Sequence, residues 1–149
     1  MNIYKIVYEF QFESGRSEKF EYSFDEKTSE LIHPRLEDLP RWVETGFNQC
    51  PNCTLNPLET PYCPQAAILL PIIRVFDDVL SYEPVHLKVV RDGRVICEDT
   101  SISKGVSSLM GLLIATCGCP VTRFFIPMGR FHLPLATQDE TLFRAAGSF

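Results

Sequence analysis

At 149 residues the chain is about one domain long, so a single unit spanning residues 1–149 is expected. Apolar residues at 45% and charged residues at 22% exclude a disordered or fibrous polymer. A net charge of −5 at pH 7 leaves no general positive potential for a phosphate backbone or an anionic bilayer, so neither nucleic acid nor a membrane surface is an expected partner.

The opening residues, Met1 to Tyr8, lack the apolar core of a signal peptide and run directly into strand-like sequence. A cytoplasmic setting is therefore expected. The mostly apolar stretches 66–79 and 106–117 are interrupted by Pro71, Arg74 and Asp77 or fall short of the roughly 20 residues a bilayer requires. No membrane span is expected. In a reducing compartment the six cysteines do not read as a disulfide framework and must be explained by metal, redox chemistry or burial.

In chain order, Ile3, Tyr4, Ile6, Tyr8, Phe10 and Phe12 give mostly period-two aromatic and branched residues, and Phe20, Tyr22 and Phe24 repeat the pattern after Glu13-Ser14-Gly15-Arg16-Ser17. This predicts a hairpin with its even-numbered aromatics on the core face. Residues 25–39 read as a connector with a short helical turn, and 42–48 as a third strand. A Cys- and Pro-rich loop follows, with too few apolar side chains to hold itself. Pro64 suits the first turn of a helix to about Leu80, with Pro71 as its kink. Asp92-Gly93 predicts a second hairpin between strands 83–90 and 94–100. A second helix runs from Ser103 to Gly118, Cys119-Pro120 opens another short helix, and Thr137 with Glu140 has capping-box spacing for a last one. The expected fold is α+β: an antiparallel sheet of two β-hairpins packed with three to four helices and a Cys/Pro-rich metal-binding loop.

Cys50 and Cys53 form a Cys-Pro-x-Cys pair able to direct two thiolates to one ion. Cys63 follows at the N-cap of the Pro64 helix, where unpaired amides and the helix dipole favour a thiolate, and Cys119 precedes Pro120 in the same way. Cys50, Cys53, Cys63 and Cys119 therefore supply four soft ligands for a structural zinc ion, with an iron–sulfur cluster as the alternative and Cys117 or His132 as substitutes for Cys119. Cys97 and Cys117 read as small core residues. His33 and His86 carry no functional weight.

The motifs Cys50-Pro51-Asn52-Cys53, Cys63-Pro64, Leu80-Ser81-Tyr82, Ser107 to Gly111, Gly118-Cys119-Pro120 and Arg130-Phe131-His132-Leu133-Pro134-Leu135 resemble those of an uncharacterised bacterial protein family of unknown function. The resemblance covers about residues 45–146 and implies that members continue as a helical segment beyond residue 149. It brings no activity with it.

No phosphate loop, HExxH, GxSxG or dinucleotide fingerprint is present. Asp77-Asp78 and Glu98-Asp99 read as exposed acidic faces, while Lys104, Arg123, Arg130 and His132 could form a local anion pocket. Phe124, Phe125, Ile126, Met128 and Phe131 are expected to fill the domain's own core, with a docking surface as the alternative. The chain thus reads as a non-enzymatic bacterial domain in which zinc staples an irregular loop and a surface meets a protein partner or a second copy; an iron–sulfur redox protein is the competing class.

Overall fold

The structure is a computed structural model describing residues 1–149. One five-stranded antiparallel sheet is built from β1 (Ile3–Phe12), β2 (Ser17–Asp25), β3 (Leu31–Ile32), β4 (Pro84–Arg91) and β5 (Arg94–Ser101), in the order β3-β2-β1-β4-β5. The helices are α1 (Pro64–Phe76), α2 (Ile102–Thr116), α3 (Ile126–Arg130) and α4 (Gln138–Ser148), with 3-10 turns at Arg41–Val43 and Arg123–Phe125.

Alternation decides which face of the sheet is covered. Tyr4, Ile6, Tyr8, Phe10 and Phe12 of β1 are buried beside Phe20, Tyr22 and Phe24 of β2 and Val85, Leu87 and Val89 of β4. Against this face pack Ile68 and Ile72 of α1 and Leu109, Leu112 and Leu113 of α2, so the core is a single sheet–helix interface. Both tight hairpins form as the alternation requires. Asp92 at φ 49° and Gly93 at φ 76° take the left-handed conformation that a two-residue connection of this hand demands.

The cover stops short of β5. Register places Ile96 opposite Val89, Glu98 opposite Leu87 and Thr100 opposite Val85, so these side chains continue the core face. Yet every residue from Arg94 to Asp99 is exposed. Cys97, expected in the core, instead stands opposite Lys88 on the outward face of this edge strand.

Other expectations are corrected too. Residues 42–48 form no strand: Val43 is driven inward against Ala67 and Leu70, Thr45 is buried on its hydrogen bond to the Thr60 carbonyl, and a single Glu44–Tyr62 bridge is all the strand pairing the segment makes. The 25–39 connector holds the two-residue β3 rather than a helical turn, with Leu31 as its buried anchor. α1 ends at Phe76, since Asp77 and Asp78 oppose the negative end of a helix; Asp78 pairs with Arg16 of the first hairpin at 3.0 Å. No helix opens at Pro120. Gly118 at φ 87° leads out of α2 into a turn, closed by the Arg123 amide on the Cys119 carbonyl at 2.9 Å. Finally, Phe124, Phe125 and Phe131 are not core residues, being 65%, 45% and 69% exposed. It is Gly129 that meets α2, its Cα lying so near Thr116 that a Cβ would come within 2.5 Å of Cγ2, and the flanking aromatics are turned outward.

Candidate functional site

A chain of polar groups leads from the core to its border, from buried Tyr8 to half-buried Ser108 and His132. Tyr8, in the middle of β1 and fully buried, places its hydroxyl 2.9 Å from Ser108 Oγ on α2 and 2.5 Å from His132 Nε2, beyond α3. Ser108 Oγ also accepts the Leu135 amide at 2.9 Å. One direction satisfies all four groups: Leu135 donates to Ser108, Ser108 to Tyr8, and Tyr8 to His132 Nε2. Burial, reinforced by the positive charges of Arg144 and Arg91, pushes the imidazole down to about 3, so His132 is neutral and accepts. Burial likewise pushes the Tyr8 phenol well above its ordinary value, keeping the donor protonated.

Arg144, on α4, fixes the same segment from outside. Its Nε and Nη2 donate to the Phe131 and Met128 carbonyls at 3.0 and 2.8 Å. The 128–135 segment is thereby pinned on both sides over the uncovered end of the sheet.

Two cavities result, and His132, Leu133 and Arg144 line both. The larger, about 760 Å³, lies among Thr100, Lys104, Ser108, Met128, Leu135 and Arg144. The smaller, about 550 Å³, is lined by Arg91, Arg94, Arg130 and Arg144, by apolar Ile6, Val89, Ile96, Leu133 and Pro134, and by Asp92 as its one acidic residue. Arg91 and Arg130 lie over the Tyr4 ring at 4.7 and 4.9 Å, which holds two guanidinium groups near one another despite their like charge. Arg91 pairs with Asp92 at 3.3 Å, whereas Arg94 and Arg130 form no ion pair.

Of the residues expected to form an anion pocket, Arg130 and His132 line this cavity, Lys104 lines its neighbour, and Arg123 lines neither. Arg91, Arg94 and Arg144 escaped sequence reasoning because they come from β4, β5 and α4 and converge only through the sheet register.

The family model described as a domain of unknown function (DUF6901) matches residues 6–149. The chain belongs to that family. The match takes in the first hairpin from Ile6 onward, the second hairpin and all four helices, hence every residue lining the two cavities of this DUF6901 domain, while Tyr4 precedes it. No curated protein and no solved structure matches the chain.

In this DUF6901 domain Cys117 and Cys119 follow the last turn of α2, whereas Cys97 stands on β5. Cys53 donates its amide to the Cys50 carbonyl at 3.0 Å, closing a tight turn at the tip of the loop that the Glu44–Tyr62 bridge roots. Cys63 is the residue before α1, its amide bonded to the Val43 carbonyl at 2.8 Å. Cys117 is buried at the end of α2, its carbonyl 2.6 Å from His33 Nε2. Burial pushes its thiol up to about 11, and the nearby Cys119 and Cys63 thiols add to the effect. Cys63, Cys117 and Cys119 are thus neighbours, while Cys50 is exposed. No three His, Cys, Asp or Glu side chains are placed as a metal-ligand group.

Proposed function

We propose that this DUF6901 domain is a non-enzymatic binding module for a small oxyanion held in the arginine cavity. The observation behind it is one of distribution: in a chain of net charge −5, four of nine arginines line a single cavity of about 550 Å³. Guanidinium forks match the geometry of phosphate and carboxylate groups, and an apolar wall lowers the screening of their attraction. His132, the imidazole on this wall, is neutral and engaged by Tyr8, so the cavity offers binding rather than proton transfer. Calorimetric titration with inorganic phosphate and pyrophosphate tests the reading. Binding that weakens with added salt and falls at least tenfold in Arg130→Gln is expected; an absence of binding, or equal affinity in the variant, overturns it.

A second proposal concerns the cysteines, supported by the neighbouring Cys63, Cys117 and Cys119 and by the Cys50–Cys53 turn. In it, Cys50, Cys53, Cys63 and Cys119 hold zinc when the loop folds inward, leaving the exposed aromatics of the 124–149 region to meet a protein partner. Metal analysis of protein prepared without chelators decides it: one equivalent of zinc, lost in Cys63→Ser, is expected. A brown, iron-containing protein would favour the cluster instead, and a metal-free protein would end both versions.

A further inference from the structure

Of the sheet's two edges, one is the two-residue β3, which pairs with only Ser23 and Phe24 of β2, and the other is β5, eight residues long and paired on one side only. Its register with β4 runs unbroken from Pro84–Ser101 to Arg91–Arg94, without a bulge, and the strand contains no proline. Free edges are ordinarily blunted by such devices or covered, because unpaired amides and carbonyls recruit another strand.

From the structure we infer that β5 is the contact through which two copies of this chain associate, antiparallel, about a two-fold axis at Ile96. The basis is the sequence of the exposed edge, Arg94-Val95-Ile96-Cys97-Glu98, which is self-complementary when reversed. Centred on Ile96, the pairing sets Ile96 against Ile96, Val95 against Cys97, and Arg94 against Glu98 twice over. Arg94, Ile96 and Glu98 all belong to the core-facing side of the sheet, so both ion pairs and the isoleucine contact fall on one face. Val95 and Cys97, both exposed, meet on the other.

Neighbouring registers are worse. Centring on Cys97 sets Ile96 against a carboxylate and loses both ion pairs. Centring on Val95 sets Glu98 against Asp92. A shift of one residue between the chains mixes the two faces. Charge therefore selects one alignment from the set that backbone pairing alone would permit, and a second copy is the occupant whose sequence is guaranteed to match. The inference is independent of the oxyanion reading, although Arg94 belongs to both sites.

Sedimentation equilibrium at several concentrations tests it. The wild-type chain is expected to reach twice its 17.0 kDa monomer mass. Arg94→Glu and Glu98→Arg, each of which sets like charges opposite one another, are expected to weaken the dimer at least tenfold. The double exchange R94E/E98R, with the pairs inverted, is expected to restore it. A monomeric wild type overturns the inference, as does a dimer indifferent to the single changes or one the double exchange fails to rescue. Circular dichroism verifies that each variant is folded. The double variant also separates the two sites, since a dimer that has lost phosphate affinity retains the edge contact without the cavity's fourth arginine.

Discussion

Two buried tyrosines two periods of alternation apart on β1 should respond differently to loss of their hydroxyls. Tyr8→Phe strips His132 Nε2 of its donor and Ser108 of its acceptor inside the core, and should cost about 1–3 kcal/mol in urea unfolding. The Tyr4 hydroxyl is buried without a hydrogen-bond partner, so Tyr4→Phe should be neutral or stabilising in the same measurement. His132 adds a pH dependence. Its folded value, about 3, lies below the ordinary value near 6.5, so the unfolded chain binds the extra proton first. The stability it contributes is complete above about pH 6.5 and drains away as pH falls toward 3, at a slope of up to about 1.4 kcal/mol per pH unit. His132→Gln should flatten the wild-type curve over that window; parallel curves would contradict the assignment. At this scale the sequence disclosed the core aromatics of the first hairpin, but neither the outward turn of Phe124, Phe125 and Phe131 nor which hydroxyls were partnered, because Ser108 and His132 lie 100 and 124 residues from Tyr8.

Among the elements, α2 carries two glycines with contrary roles. A Cβ on Gly105 would stand 2.7 Å from Cε1 of the fully buried Phe10, so Gly105→Ala should cost about 1–3 kcal/mol through overpacking. Nothing lies within 4 Å of a Cβ at Gly111, where alanine should gain up to about 1 kcal/mol of helix propensity. Thermal denaturation of the pair separates packing from propensity. Elements with strong local rules were legible beforehand: the alternating strands, Asp92-Gly93, Pro64 at the head of α1, and the reciprocal Thr137–Glu140 cap. Segments whose conformation depends on one distant contact were not. Val43 decides the path of 42–48 by packing on α1, and Gly129 decides which aromatics face outward by packing on α2.

For the whole molecule, burial is concentrated in β1, β2, β4, α1 and α2, whereas α4 buries no residue and is tied down chiefly through Arg144. Hydrogen exchange should therefore show α4 opening far below the global unfolding energy, with amides of β1 and α2 the last to exchange. Arg144→Ala should extend that early opening back to residues 128–135; unchanged exchange there would show the segment to be held by Tyr8 and Ser108 alone. The architecture was readable from periodicity, but the arginine cavity was not, since no local pattern reports that a fifth strand will outrun its helical cover. The β5 border of the sheet carries one last consequence. Because a two-fold contact uses the same β5 border of both copies, each copy occupies the other's, and association through it terminates as a closed pair instead of propagating into a fibre.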